Sequence, residues 1–138
     1  MPILDDERVI IVSGRWGEDV AFNYKFYACQ ENRFFMPAKY IAFYNQKRIK
    51  YVFEIEEIID SVDISTISHI AKSNYFSVKE KNYIPQNRKY MKLRLVHTCN
   101  PEIKNDKVDK NGKPCAFIQG QTYTTYSKIT TATKTSQL

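Results

Sequence analysis

The strongest fold signal in this chain lies in one segment, Tyr40-Ile-Ala-Phe-Tyr-Asn-Gln-Lys-Arg-Ile-Lys-Tyr-Val-Phe-Glu-Ile-Glu-Glu-Ile-Ile59. Two apolar runs, rich in aromatic and β-branched residues, flank a polar turn at 45–48, which is the pattern of a β-hairpin. In the second run, Tyr51, Phe53 and Ile55 alternate with a set that is mainly charged and includes Val52. That alternation predicts a strand with one buried face and one solvated face.

The remainder of the chain has short elements of both kinds. Apolar runs predict further strands over Arg8–Ser13, Phe26–Cys29, Met91–Val96 and Cys115–Gln119. Helical spacing predicts short helices over Glu18–Asn23, from Ile64 to Ala71, and from Thr124 or Thr125 onward. The predicted fold class is therefore α+β: a small curled mixed β-sheet or pseudo-barrel with two or three short helices.

Length and composition favour a single domain over residues 1–138. A chain of 138 residues with 43% hydrophobic content, including ten Tyr and eight Phe, is large enough to build one core. No apolar run reaches the roughly 18 residues that a membrane span needs. The N-terminus has no basic segment of a secretory signal, and three cysteines form no disulfide framework. These features predict a cytoplasmic protein without membrane contact.

The charge is distributed asymmetrically along the chain. The net charge is +6, but residues 1–60 carry 8 basic and 10 acidic side chains, whereas residues 61–138 carry 13 and 5. A positive second half indicates an anionic partner, and nucleic acid is the commonest one. A lysine-rich, solubilising surface accounts for the same counts equally well.

Three segments, in order, carry a resemblance to a known family. Asn32-Arg33-Phe34-Phe35, Tyr40–Tyr44 and Tyr51–Ile55 resemble the core of the PUA-like superfamily, especially its EVE and ASCH domains, over about residues 26–59. The resemblance implies a pseudo-barrel whose concave face accepts RNA, a modified DNA base or a nucleotide-like small molecule. Tyr44 is the best-matched position. EVE domains usually open with a tryptophan-bearing strand, whereas Trp16 follows the first strand here, so the family's base-pocket residues are not transferred.

The first candidate binding residues are Ser13, Arg15 and Trp16, in and before Gly14-Arg15-Trp16-Gly17. Glycines allow a close backbone approach, a following helix offers free amides, and Arg15 supplies a planar cation. Trp16 is suited to stacking on a base. The alternative is a structural turn in which Trp16 caps the core and Arg15 pairs with Glu18 or Asp19.

Further candidates for the same cleft come from three other segments. Asn32 can read a base edge and Arg33 can hold a phosphate. Gln119 and Gln121 offer two amides on a turn, and Tyr44 ends the Phe-Tyr strand. Each of these also has an ordinary structural interpretation, as a turn residue or a surface side chain.

A basic stretch with interleaved tyrosines predicts contacts to a nucleic-acid backbone, because cations neutralise phosphates while aromatic rings stack on bases. Its cations are Lys79, Lys81, Arg88, Lys89, Lys92 and Arg94. A solvated strand face above packed tyrosines is the equally weighted alternative.

No pattern of catalytic residues, metal ligands or cofactor-binding residues stands out, so the main hypothesis is a nucleic-acid or nucleotide-binding module. A rival hypothesis is an enzyme acting on RNA or a modified nucleotide, which requires Lys39, Glu54 or His97 to meet in the cleft. A third is an interaction module that docks an acidic partner. Domains of this kind often act beside a nuclease or another effector protein.

Overall fold

In the computed structural model, which describes residues 5–138, six strands form one curled, half-barrel sheet. The strands are β1 (Arg8–Ser13), β2 (Phe26–Gln30), β3 (Tyr40–Asn45), β4 (Arg48–Asp63), β5 (Asn87–Lys104) and β6 (Gln121–Thr125). Their order across the sheet is β2-β5-β4-β3-β1-β6. Only β1 and β3 are parallel, and every other neighbouring pair is antiparallel. The mixed α/β class and the curled sheet are confirmed.

The helices are short and lie between or after the strands. They are α1 (Arg15–Tyr24), α2 (Ser68–Ala71), α3 (Tyr75–Val78) and α4 (Tyr126–Thr131), with 3-10 turns at Ile64–Thr66 and Thr135–Gln137. The predicted start of the last helix is confirmed, because the Thr125 hydroxyl accepts the Lys128 amide at 3.3 Å. The helix predicted from Ile64 to Ala71 is interrupted at Ile67.

The predicted solvated face of β4 is wrong over the middle of the strand. Val52 and Phe53 are consecutive and therefore point to opposite faces, yet both are fully buried. Val52 belongs to a core that includes Ile129 of α4, whereas Phe53 belongs to a core that includes Ala21 of α1. Because helices cover the sheet on both sides here, neither face of the strand is left to water.

The curl of the sheet follows from irregularities in its two longest strands. β4 and β5 have 16 and 18 residues, longer than the predicted Ile49–Ile59 and Met91–Val96. Their pairing shifts register at four points. Each shift adds twist and bends the ribbon, which turns a long hairpin into one wall of a half-barrel.

Helix α1 begins at Arg15, three residues before the predicted start at Glu18. Gly14 has φ 153° and ψ 133°, which allow the chain to turn directly from β1 into the helix. Gly17 then lies against the sheet, where an added Cβ would approach the Phe43 ring to 3.0 Å. The predicted Gly14–Gly17 turn is therefore the first turn of a helix that packs closely on β3.

A buried carboxylate holds α1 against the hairpin. Glu18 is only 7% exposed, and its oxygens accept hydrogen bonds from Arg48 at 2.8 Å and from Asn45 at 2.9 Å. This ion pair raises the pKa of Arg48. It joins the helix to both strands of the hairpin and so sets the position of the helix N-terminus relative to the sheet.

The predicted strand Cys115–Gln119 is wrong. That segment has no strand pairing, and the last strand is Gln121–Thr125, antiparallel to β1. Phe117 instead packs on the Tyr44 ring, with centroids 5.8 Å apart. The apolar residues there cover the core from a loop and so contribute burial without pairing.

The hairpin turn offers a test of the fold. Gln46 and Lys47 both adopt positive φ, 53° and 63°, which is the conformation of a type I′ turn. Asn-Gly tolerates this conformation far better than Gln-Lys. The double substitution Gln46→Asn and Lys47→Gly should therefore raise the free energy of unfolding by about 1 kcal/mol, measured by urea denaturation.

A matched control places Asn-Gly at Lys110 and Asn111, in an exposed turn outside the sheet, where no gain is expected. A hairpin variant no more stable than the wild type would contradict the assigned turn.

Candidate functional site

A cleft of about 730 Å³ opens on the side where the half-barrel does not close. It lies between the C-terminal end of β1, the first turn of α1, strand β2 with the residues after it, and the beginning of β5. The residues that line it are Val12, Ser13, Gly14, Trp16, Gly17, Tyr27, Ala28, Cys29, Gln30, Glu31, Asn32, Arg33, Phe43, Gln86, Asn87 and Arg88. Its volume is within the range of about 300–1,000 Å³ that is typical of small-molecule sites.

Arg33 is the central cation of this cleft. Its Nε donates to Gln121 Oε1 at 2.8 Å, and a terminal nitrogen donates to the Tyr27 hydroxyl at 2.9 Å. The guanidinium also lies 5.0 Å from the centre of the Phe35 ring. Among residues 5–138, no carboxylate forms a salt bridge with Arg33. Neutral partners therefore orient this half-buried cation and leave its charge uncompensated.

The segment 31–39 crosses the open side of the half-barrel and bonds to β6. Gln121 donates its amide to the Phe34 carbonyl at 2.8 Å, and the Met36 amide donates to the Tyr123 hydroxyl at 3.0 Å. Because the Gln121 amide nitrogen is used in this way, its carbonyl oxygen faces Arg33. Gln121, a predicted ligand-binding residue, thus holds Arg33 in place.

Trp16 lies on the rim of the same cleft. Its side chain is 51% exposed, so the indole neither caps the core nor is sealed within it. The Lys79 ammonium lies 5.7 Å from the centre of the indole ring and forms an ion pair with Asp19. A half-exposed indole beside a cation has ring surface on which a planar group can stack.

Two small polar residues and one helix end complete the wall around Trp16. Ser13 and Asn32 are exposed and line the cleft, and neither has a side-chain hydrogen bond within the described part of the chain. Helix α1 begins without a side-chain cap. Its first amides are thus available to an acceptor, and its dipole places partial positive charge at this end.

Tyr27 and Cys29 form the inner wall, which sequence reasoning missed. Burial raises the pKa of the Tyr27 hydroxyl to about 12, although Arg33 opposes the shift. Burial also raises the pKa of the Cys29 thiol, and the positive charges of Arg33 and Lys89 partly offset this. Both side chains are therefore neutral at pH 7. Both residues lie in the apolar strand β2. Their place in that strand was the only sequence signal that could have pointed to them.

The predicted basic stretch does not form one surface. Arg88 lines the cleft, and Lys89 lies 5.8 Å from the Phe35 ring centre, while Lys79 reaches Trp16. Arg94 pairs instead with Glu54 and with Glu56 at 3.9 Å, outside the cleft. Lys81 and Lys92 are exposed and do not line the cleft either.

Gln121 contacts Arg33 but does not line the cleft, and three further predicted binding residues lie away from it. Tyr44 is 7% exposed, in the core that includes Ile129, and its hydroxyl accepts the Phe117 amide at 3.3 Å.

Arg15 lines a separate depression on the other side of α1, and Gln119 is exposed in the loop before β6. Arg15 pairs with neither Glu18 nor Asp19, whose partners are Arg48 and Lys79.

The residues of the enzyme hypothesis do not meet in the cleft. Lys39 and Glu54 form a salt bridge at 3.7 Å, while His97 pairs with Val52 in the β4–β5 ladder. None of the three lines the cleft. Between residues 5 and 138, no three acidic, histidine or cysteine side chains gather as a metal-binding group.

No protein-family model, curated protein or solved structure matches this chain. The helices within the described range all lack the combined length and apolar character of a membrane span.

The ion pair between Arg88 and Glu80 gives a pH-dependent test. Glu80 accepts two hydrogen bonds from Arg88, at 2.8 and 3.0 Å, and one from Tyr75. Burial opposes ionisation, but these bonds outweigh it and hold the pKa of Glu80 below its ordinary value of 4.5. Stability from this carboxylate is therefore complete above pH 4.5 and is lost as pH falls through the lowered pKa.

Glu80→Gln should thus be less stable than wild type at pH 7, and the difference should shrink as the pH is lowered below 4.5. Urea unfolding of both proteins between pH 7 and pH 3 measures it. A difference that does not change with pH would show that the Glu80 charge makes no contribution.

Proposed function

We propose that this chain is a PUA-like domain that binds nucleic acid or a nucleotide in the cleft between Trp16 and Arg33. The observation that carries the proposal is the presence of an uncompensated arginine and a half-exposed indole in one cleft of about 730 Å³. A nucleotide offers an anion for the first and a planar ring for the second. The curled sheet is consistent with the PUA-like architecture that the sequence resembles.

The charge of the site supports an anionic ligand. Arg33 has only neutral hydrogen-bond partners, and the uncapped first turn of α1 adds partial positive charge to the opposite wall. Among the residues that the structure describes, Glu31 is the one carboxylate that lines the cleft, and it accepts a hydrogen bond from Ser61 at 2.6 Å. A phosphate therefore finds a cation already oriented and meets little repulsion.

The shape of the site supports a flat ligand. The half-exposed Trp16 ring lines the cleft, and Tyr27 and Phe43 add apolar surface to its wall. Base stacking on an aromatic side chain contributes about 1–3 kcal/mol in single-strand recognition. An acidic protein partner would use the cation but would have no need of the indole, so the ring favours a nucleotide ligand.

Trp16→Ala should weaken binding of a 12-nucleotide mixed-sequence single-stranded RNA or DNA at least tenfold, with little effect on folding. Anisotropy of a labelled oligonucleotide measures the affinity. Phe22→Ala is the matched control, because Phe22 is an exposed aromatic residue on the same helix that does not line the cleft. Equal affinity of wild type and Trp16→Ala would show that the cleft is not the binding site.

Binding should also fall as salt rises, since each phosphate contact releases counterions, with a slope of about −0.7 per contact for single strands. Trp16 is the chain's only tryptophan, so quenching of its fluorescence reports on the cleft directly in the wild type. An acidic peptide that binds as tightly as the oligonucleotide would favour the interaction module. Cleavage or modification of the RNA would favour the enzyme.

The orientation of Arg33 allows a second, charge-based test. Gln121→Glu keeps the size of the side chain and the contact to Arg33 but places a carboxylate beside the guanidinium and removes the amide donor to the Phe34 carbonyl and the Tyr123 hydroxyl. The resulting ion pair should reduce affinity for the single strand at least tenfold. Gln119→Glu makes the same change in net charge two residues away, at an exposed position outside the cleft, and should leave affinity nearly unchanged. An equal loss in both variants would attribute binding to overall charge alone.

A further inference from the structure

Strand β2 is an edge strand, and its unpaired edge faces the cleft. It pairs with β5 alone, antiparallel, with Ala28 opposite Tyr90. The Leu93 amide donates to the Lys25 carbonyl at 2.9 Å. That bond identifies the pair of residues 25 and 93 as a hydrogen-bonded pair of the ladder. Since such pairs alternate along antiparallel strands, residues 27 and 29 also bond to β5.

Ala28 therefore directs both its N–H and its C=O away from β5. Ala28 lines the cleft, and it also lines the small depression beneath the rim together with Trp16. Within residues 5–138, no hydrogen bond from outside the ladder reaches either of its backbone groups. The next such residue, Gln30, differs because its carbonyl accepts the Arg33 amide at 3.0 Å. The N–H and C=O of Ala28 are thus left without a partner among residues 5–138, and they lie between Trp16 and Arg33.

This pair of groups has the chemistry that a nucleobase edge needs. In an extended strand, the N–H and C=O of one residue point the same way, as when a hydrogen-bonded pair exchanges two bonds. An unpaired base presents donors and acceptors side by side on its edges and is recognised through them once it leaves its stack. A half-buried backbone pair without a partner gains most from a ligand that satisfies both groups together.

We propose that the main chain of Ala28 binds the edge of an unpaired nucleobase, whose phosphate lies at Arg33. This inference rests on the proposed function and narrows it to mononucleotides and single strands. A base within a duplex has its Watson–Crick edge occupied by its partner base, so that edge is not free to bind the Ala28 main chain. The side chains supply the stacking surface and the charge, and the backbone supplies the hydrogen bonds to the base.

The wild-type protein tests this through its backbone amides. Amide NMR spectra are recorded during titration with each of the four ribonucleoside 5′-monophosphates and, separately, with ribose 5-phosphate, which has no base. We expect at least one nucleotide to bind tenfold or more tightly than ribose 5-phosphate and to shift the Ala28 amide strongly. The adjacent Cys29 amide, which bonds within the ladder, is the internal control and should shift less.

Ala28→Pro provides the matched variant, because proline removes the N–H and an outward-facing position on an edge strand tolerates it. The variant should lose most of the base-dependent gain, with affinity for the preferred nucleotide falling at least tenfold and affinity for ribose 5-phosphate unchanged. If the proline variant does not fold, the Ala28 amide shift in the wild type decides.

The outcomes separate the two proposals. A nucleotide that binds without shifting the Ala28 amide, or that binds no better than ribose 5-phosphate, overturns the inference and leaves the proposed function standing. A duplex that binds as tightly as its single strand also overturns it. Failure of every nucleotide and oligonucleotide to bind overturns the proposed function itself.

Discussion

One guanidinium connects the two ends of this sheet. Arg33 donates to Tyr27 on β2 and to Gln121 on β6, which are the two edge strands of the half-barrel. A half-buried cation costs solvation energy unless polar groups surround it, and here neutral oxygens and an aromatic ring do so. Because none of these partners carries a negative charge, the contact that joins the edges also leaves a positive charge facing the cleft.

Two other half-buried arginines, Arg48 and Arg88, differ from Arg33 in having carboxylate partners. Glu18 binds Arg48 and holds α1 to the hairpin, and Glu80 binds Arg88 in the wall of the cleft. These pairs keep the supporting elements in place and add little to the external field. The net charge of +6 is therefore a poor guide to the site, since a few cations placed by the fold determine what the cleft attracts.

The cleft follows from incomplete closure of the sheet. Had β2 paired with another strand, the backbone groups of Ala28 would be satisfied and no cleft would separate Trp16 from Arg33. The segment 31–39 crosses this gap and fastens to Gln121 and Tyr123. This segment thus spans the gap, bonds to β6, and leaves the edge of β2 accessible.

Several elements could be predicted from the sequence because their signals are local. The hairpin and β1 have unbroken apolar runs between polar turns, and Thr125 has the hydroxyl of a helix cap, so their positions follow from short-range chemistry. Asn32, Arg33 and Trp16 were recognisable as candidates from residue type and polar context. Which of the candidates meet could not be predicted, because it depends on pairing between residues far apart in the chain. The tertiary structure put Tyr44 into the core, made Gln121 a support for Arg33, separated Arg94 from the cleft, and left the edge of β2 open.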